Sequence, residues 1–230
     1  HHLNPDKEGF NFRHIFGTDN EKDRHYNTPR VWYGQCYFNP EIEQDPQSSE
    51  LPFICHAAKK ISVADVEFVL GSHYNETKYD PFLNTPEAKK FRPISMNRTQ
   101  NSHVMQVRND VPAEQSAIMW MTFGVPAFAP YLPFHANVSE TDPSFANTPL
   151  KHDMNSAYWL YRTLSMIVES HYADFVQDDI DYLKECRIEL GQFVAATDEQ
   201  AAKLSGDELT AFLTEQDKVM VAKMRDKAQA

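Results

Sequence analysis

An arginine at the wrong end of a helix is the first residue of chemical interest. Tyr26-Asn27-Thr28-Pro29-Arg30-Val31-Trp32 reads as a helix start, with Thr28 as N-cap and Pro29 at the first helical position. The dipole of a helix favours anions in its first turn, so Arg30 needs another reason to be there. Either a carboxylate holds it or it serves a site. A second concentration of charge lies in Arg92–Arg108, which places Arg98, His103, Gln106 and Arg108 on or beside a hairpin. Such groups are costly to bury unpaired, so they are exposed at strand ends, paired with acids from later loops, or used. Cys55-His56 is the one Cys/His neighbour pair, and a thiolate beside an imidazole is a plausible nucleophile. Neighbours in a strand point to opposite faces, however, which makes adjacency weak ground. Cys36 and Cys186 read as core or helix-face residues. Asp178-Asp179-Ile180-Asp181 could bind a hard cation, but a solvated acidic helix face is the simpler account. Asn75-Glu76-Thr77, Asn97-Arg98-Thr99 and Asn137-Val138-Ser139 match the glycosylation pattern no more often than chance allows.

The elements that must position these residues form two runs. Residues 1–28 are polar and read as loop, with a turn around Phe10–Phe16. Arg30–Phe38 follows as helix, or as strand given its Val, Trp, Tyr and Phe, and Asn39-Pro40 stops it. Gln44–Pro52 is loop. Ser62 caps a helix carrying Val63, Val66, Val69 and Leu70, and Gly71 ends it. Phe91–Asn97, Ser102–Arg108 and Ser116–Phe123 are spaced as an antiparallel meander, with Asn109–Pro112 as a turn. The second of these strands should carry one polar and one apolar face. Gly124–Pro149 holds five of the fourteen prolines and reads as extended loop packed through Phe128, Tyr131 and Phe134.

From about Asp153 the pattern turns helical. Tyr158, Trp159, Tyr161, Leu164, Ile167 and Val168 leave little polar face, which predicts a buried helix. Val176, Ile180, Leu183, Leu190 and Val194 predict an amphipathic one. Ser205-Gly206-Asp207-Glu208 spells a capping box before a last helix with Leu209, Phe212, Leu213, Val219, Met220 and Met224 on one side. The fold class is α+β, an antiparallel sheet followed by C-terminal helices, in one layered unit.

Composition bounds the rest. A chain of 230 residues with 41% hydrophobic residues can bury a core, and no run approaches the length that crosses a bilayer. A formal charge of −11 argues against a nucleic-acid partner, which needs a basic footprint. Three cysteines cannot build a disulfide framework, so a reducing, cytoplasmic setting is expected, with no membrane association. Gly-rich phosphate loops, HExxH and Ca²⁺ loops are absent, and no metal or other cofactor is expected. His1-His2 opens the chain without Met, which reads as a start inside a longer protein, a tag remnant being the alternative.

Several segments together resemble the dipeptidase A-type cysteine dipeptidase family. They are Tyr26–Trp32, Ile61–Val66, Ser72-His73-Tyr74, Tyr79-Asp80-Pro81 and Arg92–Arg108, followed in order by Trp120, Pro126-Ala127-Phe128, Pro133-Phe134 and Ser156-Ala157-Tyr158-Trp159. The likeness spans most of the chain, although no one segment is a catalytic signature. The family is similar to N-terminal-nucleophile hydrolases, which implies a four-layer αββα sandwich and a Cys at the mature N-terminus. There the α-amino group is the base and the thiolate attacks a peptide carbonyl. The resemblance implies that Arg30 stands against this thiol, where a guanidinium lowers the thiol pKa. It also implies dipeptide substrates; the candidate substrate-binding residues are Tyr26 and Asn27 beside Arg30, and Arg98, His103 and Gln106 by their position on the hairpin.

Residue one here is His1, and no cysteine lies near the start. The resemblance therefore implies the C-terminal portion of one N-terminal-nucleophile hydrolase domain. Residues 1–150 would supply loop, helices and sheet, and 151–230 the helical part. The nucleophile is then absent from this chain, which alone is expected to be inactive. A half-sandwich leaves a sheet face or edge uncovered, so a partner is expected: the missing N-terminal half, or another copy in a homo-oligomer. The competing readings are a bile-salt or penicillin amidase of the same superfamily, and a non-catalytic acidic interaction module.

Overall fold

The computed structural model describes residues 16–18 and 20–230. The expected turn around Phe10–Phe16 falls, up to residue 15, outside the described residues. Within them the fold is α+β. Two compact units divide the chain: His1–Ile61 with Tyr74–Ile94, and Ser62–His73 with Ser95–Ala230.

The first unit holds α1 (Asp23–Tyr26) and α2 (Thr28–Phe38). The short α1 corrects the expectation of loop up to residue 28. In α2 the strand alternative gives way to helix, and the cap sits one residue earlier than expected, on Asn27. Thr28 is instead buried inside the first turn, its hydroxyl donating to the Asp23 carbonyl at 3.3 Å. Pro29 fits there because that turn has no use for its missing N–H. The unit's core is aromatic. Tyr33 meets Tyr74 edge-on at 5.6 Å, Trp32 meets Tyr79 at 5.7 Å, and Tyr79 lies 4.5 Å from Phe91. Tyr74 is fully buried although its φ is +67°, a left-handed conformation that costs a bulky residue about 1 kcal/mol or more. Its hydroxyl donates to the Arg92 carbonyl at 2.8 Å, which fixes the loop that follows.

The second unit begins with α3 (Val63–Leu70). Ser62 caps it as expected, in a reciprocal box with Asp65. The sheet has the order β1 (Asn101–Val107), β2 (Ala117–Phe123), β3 (Leu132–His135), all antiparallel. The first two strands match expectation within a residue. Phe91–Asn97, expected as the first strand, is a series of turns and bends, and the third strand comes from the proline-rich segment. Pro133 is tolerated because β3 lies at the edge of the sheet, paired on one side only. That segment also contains α4 (Pro143–Ala146), while Phe128, Tyr131 and Phe134 are buried as expected. On β1 the apolar side chains Met105 and Val107 are 77% and 73% exposed on the same face as His103, so the expected separation into a polar and an apolar face is not seen. Gly124 follows β2 with φ +81°, and a Cβ there would come within 3.1 Å of the Tyr161 backbone.

Three helices complete the unit: α5 (Ala157–Ser170), α6 (Tyr172–Ala201) and α7 (Gly206–Gln229). They bury Leu132 and Phe134 of β3 with Tyr161, Cys186, Leu190, Met220, Val221 and Met224. Each large apolar side chain so buried contributes about 1.5–3 kcal/mol. Three expectations fail here. The α5 helix is one-sided, with Met166 and Ile167 exposed. Ile180 of α6 is exposed, and the buried stripe runs Asp179, Cys186, Leu190, Thr197, Ala201. Ser205 makes no side-chain cap, because Gly206 enters the helix at φ +54° and carries the backbone away from box geometry. Among the described residues no helix is long and apolar enough to cross a membrane.

Candidate active site

Arg30 lies in the first turn of α2, and its Nε donates to the Arg92 carbonyl at 3.3 Å. The guanidinium of Arg92 covers the ring of Tyr26, 4.8 Å from its centre. Two cations are thus gathered among phenol rings in one unit. Burial, and then the like charge of Arg92, weakens the hold of Arg30 on its proton, with Tyr74 and Tyr26 acting in the opposite sense. A guanidinium stays charged under such pressure, so two positive charges are held close together in a partly desolvated setting. A thiolate, a carboxylate or a developing oxyanion are the groups such a nest stabilises. Asn27 is exposed, its amide donating to the Asp23 carboxylate, while His25 Nδ1 lies 2.7 Å from the Lys90 carbonyl.

The other candidates belong to the second unit and are dispersed. Arg98 is exposed in the turn before β1, and His103 is exposed on the strand. Gln106 faces the opposite way, its Oε1 accepting from Trp120 Nε1 at 2.9 Å. Arg108 grips both oxygens of the Asp198 carboxylate, and its Nη2 also donates to the Gln115 carbonyl at 2.6 Å. The structure thus brings Arg30, Tyr26 and Asn27 into one unit, and places Arg98, His103 and Gln106 at separate points of the other.

The cysteines divide by burial. Cys186 is fully buried and its thiol is pushed up to about 11, chiefly by desolvation. Burial also raises the thiol of Cys36. Cys55 is half-buried in a loop beside an exposed His56, with no hydrogen bond between them among the described residues.

Three buried acids escaped the sequence reading. Asp217 accepts from the backbone N–H of His135 at 3.0 Å and holds its Nδ1 at 2.7 Å. Burial raises its carboxyl, with those hydrogen bonds pulling against it. Glu67 lies 3.9 Å from Arg187 Nε, yet burial lifts it to about 7. Asp179, read as part of a solvated face, is 6% exposed and pushed to about 7 by desolvation, with Oδ1 unpartnered among the described residues. A signal was available: each acid interrupts an apolar stripe, Asp217 lying one turn from both Leu213 and Met220. Among the described residues no group of three or more His, Cys, Asp or Glu could hold a metal ion.

Comparison with known proteins bears on this arrangement. A family model described as Peptidase family C69 matches residues 1–185. A probable dipeptidase of Latilactobacillus sakei is 54% identical over 217 residues, covering 94% of this chain and 46% of the relative. Dipeptidase A of Lactobacillus helveticus is 39% identical over 228 residues, 98% of this chain and 47% of its own length. A dipeptidase of Bifidobacterium longum is 31% identical over 207 residues, covering 85% and 39% of the two. The chain thus spans about half the length, or less, of these relatives.

Proposed function

The chain belongs to peptidase family C69, and we propose on that footing that it is the C-terminal part of a cysteine dipeptidase. The dipeptide substrate follows from the names its relatives carry. The nucleophile, on this reading, is an N-terminal Cys supplied by the other half of the protein. Its thiol gives a proton to its own α-amine, and the sulfur attacks the peptide carbonyl to form a tetrahedral oxyanion. The leaving amine takes the proton as the C–N bond breaks, and water then hydrolyses the thioester.

The observation that carries the proposal is the pairing of Arg30 with Arg92 in a half-buried aromatic setting. Arg30 favours the thiolate over the thiol, and Tyr26 and Asn27 stand beside it as substrate contacts. Arg98, His103 and Gln106 are assigned weaker roles in holding the dipeptide. The three-stranded sheet is one layer of an αββα sandwich, completed by the missing half, and the whole assembles as a cytoplasmic homo-oligomer without metal or other cofactor.

The test compares this chain with the chain joined to its N-terminal half. The joined protein should cleave dipeptides and lose that activity to a thiol reagent, and this chain alone should not cleave them. Dipeptide hydrolysis by the purified chain alone, blocked by a thiol reagent, overturns the assignment of the nucleophile. Preference for bulky N-acyl amides over dipeptides overturns the substrate.

A further inference from the structure

An open cleft of about 580 Å³ lies in the second unit, between the segment from Asp142 to Ser156 and the last turns of α7. Its lining carries both signs of charge. Arg225 of α7 is half-buried there and makes no ion pair or hydrogen bond among the described residues. Ser156, 3% exposed, lines the cleft at the start of the fourteen-residue α5. Among the described residues its hydroxyl has no hydrogen-bond partner, and it does not cap its own helix. A buried hydroxyl with nothing to bond is costly, and the unspent N–H groups of the first turn of α5 lie beside it. Together with Arg225 they make a receptor for one carboxylate.

The opposite pole is built from two acids. Asp142 spends Oδ1 on the N–H and hydroxyl of Ser144, at 2.9 and 2.6 Å. Asp153 spends Oδ1 on the N–H and side-chain amide of Asn155, at 3.0 and 2.9 Å. In each, Oδ2 has no hydrogen bond among the described residues. Two carboxylates against one guanidinium and a helix terminus disfavour a polyanion such as phosphate. They suit a ligand that carries an ammonium next to its carboxylate. The walls are fixed beforehand, since Trp159 Nε1 donates to the Pro149 carbonyl at 2.8 Å and His152 Nε2 lies 3.0 Å from the Thr163 hydroxyl.

We propose that this cleft binds a free α-amino acid, its carboxylate on Arg225, Ser156 and the start of α5, and its ammonium on Asp142 and Asp153. The chemistry matches the products of a dipeptidase, but the binding argument does not rest on that activity. The site needs nothing outside the second unit.

Titration of the chain with L-leucine, followed by NMR of backbone amides, tests this directly. Saturable shifts should centre on residues 142–156 and the end of α7. Acetate and ethylammonium, each carrying half of the ligand's charge, should bind at least tenfold more weakly. Arg225→Gln should weaken L-leucine about tenfold and Ser156→Ala about threefold, with Arg225→Lys between them. If Arg225→Gln fails to fold, Ser156→Ala and Asp153→Asn decide. No saturation, shifts elsewhere, acetate binding as well as L-leucine, or tighter binding of inorganic phosphate each overturns the proposal. Loss of dipeptide hydrolysis in the joined protein leaves these outcomes untouched, so the two readings fail separately.

Discussion

Arg108 and Arg30 are both drawn out of bulk water, and they are held in different ways. The side chain of Arg108 is 10% exposed and meets both oxygens of Asp198, itself 21% exposed, so its charge is answered by a fork of hydrogen bonds. Arg30 donates to a backbone carbonyl and feels, among other groups, the phenols of Tyr74 and Tyr26 and a second guanidinium, that of Arg92. The first arrangement ties the residue that follows β1 to α6 across ninety positions of chain and leaves little field for anything else. The second concentrates positive potential at the start of a helix, where the dipole adds to it. The Arg108 pair is a fastening, whereas Arg30 is set beside a like charge.

Breaking the fastening should have the largest effect. Arg108→Ala strands Asp198 against the sheet and should cost about 3–5 kcal/mol in urea unfolding of the chain. Loss of under 1 kcal/mol would show that water replaces the guanidinium and that the contrast is false. Next comes the nest. In the joined protein Arg30→Ala should lower kcat/KM for a dipeptide about a hundredfold, which is about 2.7 kcal/mol of transition-state stabilisation. Unfolding of that variant should be almost unchanged, and a stability loss as large as the activity loss would make Arg30 a second fastening.

A third experiment uses a buried charge that no cation matches among the described residues. Asp179 ionises near 7 in the folded chain, against an ordinary value of 3.8. Below 3.8 both states are protonated and nothing is lost. As pH climbs from 3.8 towards 7 the unfolded chain releases the proton first, so stability falls, and above 7 the penalty is constant. Asp179→Asn should therefore stabilise the chain at pH 8 by on the order of 2 kcal/mol and leave it unchanged at pH 3.5. An equal effect at both values would exclude ionisation as the cause. The smallest effects belong to the exposed candidates. Arg98→Ala and His103→Ala should each change stability by less than about 0.5 kcal/mol. A drop in kcat/KM for a dipeptide in the joined protein, with KM rising and kcat steady, would then mark them as substrate contacts.

Local rules were legible where local groups decide the outcome. Ser62 and Asp65 are three residues apart and cap their own helix, so the box could be read from the sequence. The hairpin of β1 and β2 was legible for the same reason, its turn and both strands lying within one short stretch. Phe91–Asn97 misled because Phe91 serves the aromatic core of the first unit rather than a ladder. The Arg92 carbonyl is taken by Tyr74 and Arg30 side chains, which leaves it no strand to pair with. Pro133 hid β3, since a proline counts against a strand unless the strand is known to be an edge. The pair of His135 with Asp217 spans eighty-two positions and obeys no spacing rule. Of the candidate site, the oddity of Arg30 was legible from the dipole argument, whereas its neighbour Arg92 was not, because only folding brings them together.

Gly124 has a consequence for heredity. Its backbone is left-handed, and the atoms a first carbon would strike are main-chain atoms of Tyr161 and Arg162, which no rotamer change can move. A lineage can relieve a crowded side chain by altering its neighbour, whereas here the positive φ and the tight main-chain contacts both weigh against a side chain. Any change of the first or second base in the Gly124 codon should therefore be purged, even in descendants that have long since exchanged one substrate for another.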